Sequence, residues 1–283
     1  MAEAPLAIIA GRGDLPRLIA EECRSRGRPH YVVRLPGVDL GWADGHPAIS
    51  AVFEKPGRLF ADLRKAGVAE VTFAGGIRRP ELNPLRFDLK MLTLAPKVLA
   101  GLKAGDDSTL RLVAGIFEKE GLRLVGAHEI LTSLVAPEGV LTRARPSEAD
   151  LKDARRARRI ARALGRVDVG QAAVVAQGIC LGVESIQGTD ALLAFVAETG
   201  RGFRPDAAGG QGVLYKAPKP GQDWRLDLPA IGPETVGRAA AAGLAGLAVE
   251  AGGVLLLDRE GLIAAADAAG LFVLGLASGG GEP

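Results

Sequence analysis

The chain has 283 residues, enough for two domains that each bury a core of their own. Hydrophobic residues make up 48% and aromatic residues only 4%, so the core must be built from Ala, Val, Leu and Ile, as in α/β proteins, and a disordered chain is excluded. With 35 Lys and Arg against 33 Asp and Glu the formal charge is +2, which excludes a global field for nucleic acid and leaves electrostatic recognition to local clusters.

Residues 1–135 alternate short apolar runs with amphipathic stretches: LAIIA, a helix over 16–26, YVVRL, AVF, a helix over 59–65, and VTFAGG. Such alternation predicts a mostly parallel sheet. Two runs end in glycine loops, Gly11-Arg12-Gly13 and Gly75-Gly76, at the carboxyl ends of strands, where open α/β sheets bind ligands. Gly105-Asp106-Asp107-Ser108 reads as a capped helix start, with a metal or ribose contact as the alternative. Residues 136–150 carry prolines, a glycine and no helical period, and read as a linker to a second domain over 151–276. The arginine run RRARRIAR reads as a solvated helix face with acidic partners at i, i+4. QAAVVAQ and ICLGVESI read as paired strands, GTDALLAFVAET as a capped helix, GVLYKA as a strand, 233–242 as a helix, and LAGLAVEAG and VLLLD as further strands of an α/β domain. The Gly-rich tail, 277–283, reads as disordered.

Cys23 and Cys180 have no CxxC partner and are expected to be buried small apolar residues. His30, His46 and His128 show no ligand spacing and read as three unrelated histidines, which argues against a zinc enzyme. The first residues have no basic start or long apolar run, so a cytoplasmic location is expected.

Gly11-Arg12-Gly13-Asp14-Leu15-Pro16 begins like a dinucleotide fingerprint, but Pro16 stands where GxGxxG has its third glycine. What remains is either an anion site, with backbone N–H groups and the positive end of a helix, or a purely structural turn. Arg78 and Arg79 follow the second glycine loop and carry the forked donors that recognise phosphate. The stretch 209–232, GGQGVLYKAPKPGQDWRLDLPAIG, concentrates charge among glycines and prolines. There Lys216, Lys219 and Arg225 can neutralise phosphate oxygens, and Asp223 and Asp227 can hold a divalent ion or orient a water; a solvated hairpin is the alternative. On a strand, two aspartates four apart face alike. Glu184 and Asp190 read as further metal ligands or as ordinary strand-face and helix-start charges. The absence of GxSxG, HExxH, complete Walker A and CxxC patterns removes serine hydrolases, zincins, P-loop NTPases and thiol redox enzymes. Carboxylate-held metal with basic clamps suits hydrolysis of a diphosphate.

Several motifs in order, IAGRGDLP, AGGIRRP, GDDSTLR, VGAHEIL, VESIQGTDALL, GVLYKAPKPGQDWRLDLPAIGPETV and LAVEAGGVLLLDREGLIAAAD, span nearly the whole chain. Together they resemble the UDP-2,3-diacylglucosamine diphosphatase family of lipid A biosynthesis, the type distinct from the calcineurin-like enzyme. The resemblance implies a Rossmann-like N-terminal domain and a distinct C-terminal α/β domain with the active site between them. It implies hydrolysis to UMP and lipid X (2,3-diacylglucosamine 1-phosphate), with water attacking the α-phosphorus and Mg²⁺ or another divalent cation assisting. The family's catalytic aspartate falls within 222–227, where Asp227 is preferred and Asp223 retained; Leu226 stands where the family has Phe or a similar apolar residue. Lys216 and Arg225 join them as catalytic candidates, and Asp190 and Glu184 as metal ligands. The substrate contacts expected are Gly11, Gly13, Asp14, Gly75, Gly76, Arg78, Arg79, Thr189, Gln211 and Lys219. Two acyl chains call for an apolar cavity and transient contact with the inner-membrane surface, without nucleic acid as a partner; a homodimer is left open. A carrier of nucleotide-sugar or lipid and an NADP-linked oxidoreductase are the alternative functions.

Overall fold

The structure is a computed structural model that describes residues 3–77, 80–101 and 106–278. Arg78, Arg79, Gly105, the side chains of 106–108 and the tail from 279 onward lie outside the described residues. The chain divides into two compact units, Met1–Thr132 with Asp223–Asp227, and Ser133–Gln222 with Leu228–Pro283.

The first unit contains β1 (Leu6–Ala10), α1 (Leu15–Ser25), β2 (His30–Arg34), β3 (Ala48–Ser50), α2 (Pro56–Lys65), β4 (Glu70–Ala74), α3 (Leu89–Gly101), α4 (Asp106–Lys119), β5 (Arg123–Leu124) and α5 (Ala127–Ile130). Its five strands are all parallel, in the order β3-β2-β1-β4-β5. LAIIA can be apolar throughout because both faces of β1 are covered. Ala7, Ile9, Val33, Val71 and Phe73 pack with Phe60 and Leu63 of α2 and Phe117 of α4. The alternate residues, Leu6 and Ile8, point the other way, and α1 lies on β1 and β2 with Ile19, Ala20 and Cys23 buried. The third strand lies just ahead of the AVF run that the sequence indicated.

Chain order reverses between β1 and β4, so the carboxyl ends of these two strands form the switch point at which open sheets bind ligands. Both glycine loops emerge there and are joined to each other. Gly11 N donates to Ala74 O at 2.7 Å, Arg12 N to Gly76 O at 2.9 Å and Gly76 N to Arg12 O at 3.1 Å. A Cβ on Gly11 would stand 2.6 Å from Gly75 O, while Gly75 has φ +80° and a Cβ there would run into the Arg12 carbonyl.

The second unit contains β6 (Gly139–Val140), α6 (Glu148–Arg166), β7 (Ala172–Ala176), β8 (Ile179–Val183), α7 (Thr189–Thr199), β9 (Val213–Lys216), β10 (Ala230–Ile231), α8 (Pro233–Ala241), β11 (Gly246–Glu250), β12 (Leu255–Leu256), α9 (Arg259–Ala269) and β13 (Phe272–Leu276). Six strands form a mixed sheet, β6-β13-β11-β9-β7-β8, with a parallel centre of β9, β11 and β13; β10 and β12 pair separately. One face packs Val174, Leu214, Leu247 and Val273 against Leu193, Val236 and Leu262 of the three later helices. The other packs Val175, Val213 and Tyr215 against Ala154, Ala157 and Ala161, the small stripe of α6. The β7–β8 turn, Gln177-Gly178, has positive φ at both residues, and the buried Asp153 carboxylate accepts both their N–H groups at 2.8 and 2.7 Å.

Four sequence expectations change. The 136–150 stretch is ordered structure: β6 pairs with β13, and Ser147 and Asp150 form a capping box on α6. The α6 arginines do not all find partners along their own helix, because Glu250 is buried at the end of β11 and needs countercharge. Arg158 and Arg162 approach it at 3.7 and 3.2 Å, and Tyr215 Oη donates to it at 3.3 Å. Cys180 is exposed, since β8 is the edge of its sheet. The histidines are not all unrelated: His30 Nε2 and His46 Nδ1 are 2.8 Å apart in a buried hydrogen bond. Among the described residues no helix is long and apolar enough to cross a membrane.

Burial pushes the Cys23 thiol up to about 11, so native protein at mildly alkaline pH should take up thiol reagent at Cys180 and label Cys23 only on unfolding. Fast labelling of Cys23 in native protein would show that the α1 face opens readily. Gly75→Ala should cost about 2–4 kcal/mol, combining an unfavourable positive φ with overpacking; an unchanged denaturation midpoint would mean that the two glycine loops are not locked together.

Candidate functional site

The charged stretch after β9 is bent by its own sequence. Pro218, Pro220, Gly221 and Pro229 oppose a continuous ladder, and the residues between form a tight turn over Trp224–Leu226. The expectation that Asp223 and Asp227 share a strand face is therefore corrected. Asp223 organises the turn instead: its carbonyl accepts Leu226 N at 3.0 Å and Asp227 N at 3.4 Å. Its carboxylate accepts the Arg225 N–H at 3.1 Å, Nε at 3.0 Å and Nη2 at 2.6 Å. These hydrogen bonds, with a smaller contribution from the Arg111 charge on α4, hold the Asp223 carboxyl below the usual range. The same pairing raises the guanidinium of Arg225.

This turn belongs to the first unit although the residues on either side belong to the second. Leu226 is buried in the core that contains Phe60, Phe73 and Phe117. Arg225 Nη1 donates to Glu118 Oε1 of α4 at 3.1 Å. Trp224 meets His128 edge-on, with ring centroids 6.2 Å apart. Gly126 makes room for this packing: a Cβ there would strike the His128 ring and come 3.2 Å from Trp224 O. Asp227 ends the turn as an exposed carboxylate.

Within the first unit, Gly11, Gly13, Gly75 and Gly76 meet at the switch point, with Asp14 at the start of α1, 3.5 Å from Arg17. Three N–H groups there join the loops, so backbone contact with an anion falls to Gly13 and the first turn of α1. In the second unit, Lys216 is buried and its Nζ donates to Ala230 O at 3.0 Å. Lys219 Nζ donates to Asp168 at 2.6 Å, and Gly165 of α6 lets Pro220 pack closely. Thr189 donates to the buried Glu184 carboxylate at 2.5 Å, while Asp190 lies 3.4 Å from Arg238. Gln211 is exposed and its carbonyl accepts Arg204 Nε at 3.0 Å. Among the described residues no three His, Cys, Asp or Glu side chains cluster as a metal cage. An exposed carboxylate such as Asp227 nonetheless suits a Mg²⁺ ion, which typically takes one or two protein carboxylates and completes its shell with substrate phosphate and water.

Sequence reasoning passed over Glu118, Trp224 and Asp168, and read His128 as an unrelated histidine. Trp224, a large apolar residue in a polar stretch, was a usable signal, and so was His128 within VGAHEIL. Glu118 and Asp168 had none, because each finds its partner far along the chain.

Residues 5–134 match the family model described as the LpxI N-terminal domain, and residues 137–274 the model described as the LpxI C-terminal domain. Among curated proteins the chain is similar to the UDP-2,3-diacylglucosamine pyrophosphatase LpxI of Caulobacter vibrioides, with 43% identity over 271 residues that cover 96% of this chain and 97% of that protein. Two domains matched in order, over an α/β architecture of two units, place the chain in the LpxI family.

Proposed function

We propose that this protein hydrolyses UDP-2,3-diacylglucosamine to UMP and lipid X in lipid A biosynthesis. The observation that carries the reading is the similarity along nearly the full length of both chains to the pyrophosphatase of Caulobacter vibrioides. In the reaction a water oxygen bonds to the α-phosphorus, the bond from that phosphorus to the bridging oxygen breaks, and the bridging oxygen leaves with the 1-phosphate of the lipid. Asp227 orients the water and accepts its proton. Asp223, occupied by Arg225, shapes the turn and is the weaker candidate for that role. A divalent cation such as Mg²⁺ would be held by Asp227 and the substrate phosphates, and would supply charge stabilisation for the phosphoryl oxygens. Gly13 and the start of α1 serve the nucleotide phosphate, and Lys216 and Lys219 are held in reserve as cations for the diphosphate.

The acyl chains require apolar cover. In the second unit a groove of about 410 Å³ is lined by Val183, Ala191, Leu192 and Phe195 together with the polar Ser185 and Gln187, beside the exposed Ile186. This groove supports a role for the second unit in meeting lipid, and with it peripheral association with the cytoplasmic face of the inner membrane.

Mass spectrometry of products formed from UDP-2,3-diacylglucosamine and Mg²⁺ in ¹⁸O-labelled water should find the label in UMP. Label in lipid X would overturn attack at the α-phosphorus, and intact substrate would turn the reading to a carrier. Asp227→Asn should lower kcat by about 10²- to 10⁴-fold with substrate binding retained, in the range of a lost general base; undiminished turnover would remove Asp227 from the reaction.

A further inference from the structure

We infer that Glu118 is a positioning residue for Asp227, acting through Arg225 and Asp223; the inference rests on the proposed hydrolysis. Glu118 lies in the last turns of α4, 107 residues from Arg225 in sequence. The guanidinium divides its donors between two carboxylates. Nε and Nη2 go to Asp223, at 3.0 and 2.6 Å, and Nη1 goes to Glu118 at 3.1 Å. Asp223 in turn receives the backbone N–H groups of Arg225, Leu226 and Asp227. A connected path of hydrogen bonds thus runs from α4 to the peptide of Asp227.

The path carries orientation more than stability. The Glu118 and Arg225 side chains are 45% and 44% exposed, and pairs of that exposure contribute little to folding. Leu226, buried beside them, already anchors the turn to the core. Leu226 and the Trp224–His128 contact seat the turn, and a forked guanidinium gripped by carboxylates on two sides further limits its rotation. Arg225 is therefore a strut of the site, with its donors committed within the protein, and the Asp227 peptide inherits its placement from α4. A displacement of about 1 Å at a reacting group is enough to lower a rate about a hundredfold.

The test compares Glu118→Ala, Glu118→Gln, Arg225→Ala, the Glu118→Ala/Arg225→Ala double variant and Asp227→Asn with the wild type, using the purified 283-residue chain, UDP-2,3-diacylglucosamine and Mg²⁺. Glu118→Ala should lower kcat by about ten- to a hundredfold, with KM within about twofold and Tm within a few degrees of wild type. Glu118→Gln, whose amide oxygen still accepts from Arg225, should recover most of the loss. Arg225→Ala should lower kcat to a similar degree, and adding Glu118→Ala to it should cost little more, because both changes cut one path. Wild-type kcat in Glu118→Ala, beside an inactive Asp227→Asn, would overturn the inference and leave the proposed reaction standing. An inactive wild type, or a fully active Asp227→Asn, would instead overturn the reading on which it rests. A rise in KM with kcat unchanged would reassign Glu118 to substrate affinity and likewise overturn positioning.

Discussion

Burial of Leu226 is the constraint on which the candidate site depends. Five residues, Asp223–Asp227, leave the unit that contains their neighbours and join the core of the other. Removing a leucine side chain from water contributes about 1.5–3 kcal/mol, more than exposed ion pairs supply, so the apolar anchor decides where the turn resides and the charges decide how it is turned. The order of residues reflects that division. Leu226 stands between Arg225 and Asp227, both exposed, so seating the leucine inward leaves its charged neighbours at the surface.

The same economy governs the sheet of the first unit. An all-parallel sheet with both faces covered can offer a ligand only its edges and loops, and the reversal of strand order separates the loops after β1 and β4 from competing crossovers. Gly11, Arg12 and Gly76 then use their N–H groups to tie those loops together. The cost is a set of donors no longer aimed at a ligand, and the gain is a fixed approach to the start of α1. Glycine is required here because the backbones come too close for a side chain, independently of any anion.

Much of the architecture was legible because burial on both faces leaves a plain mark: LAIIA, AAVVA and the GLAV that precedes Glu250 are uninterrupted apolar runs that flanking glycines and polar residues delimit. The site was less legible, for reasons of range. A strand reading of 223–227 follows from the spacing of the two aspartates, yet the turn is set by Asp223 gripping Arg225 and by Leu226 entering a distant core. Arg158 and Arg162 look like a solvated stripe until Glu250, far along the chain, is buried against them. His30 and His46 are 16 residues apart, a spacing that matches no ligand motif, and only the convergence of the chain near the starts of β2 and β3 brings the rings together. Helical and strand periods encode neighbours within an element; they carry no record of which charges meet across the fold.

Lys216, Lys219 and Arg225, the cations of the charged stretch, all have partners within the protein. Lys216 donates to a backbone carbonyl, Lys219 to Asp168 and Arg225 to two carboxylates. A partly exposed ion pair such as Lys219–Asp168 is worth about 0–1 kcal/mol, so a doubly charged phosphate can exchange with the aspartate at little cost. Lys216 is buried, and its Nζ donates to the Ala230 carbonyl. Arg225 gains little from an arriving anion, because its forked donors already face carboxylates and releasing them would undo the turn that carries Asp227. Partnering in the folded chain thus separates cations that sequence alone treats as equivalent: Lys219 sits in a partly exposed ion pair, whereas Arg225 is committed to the turn.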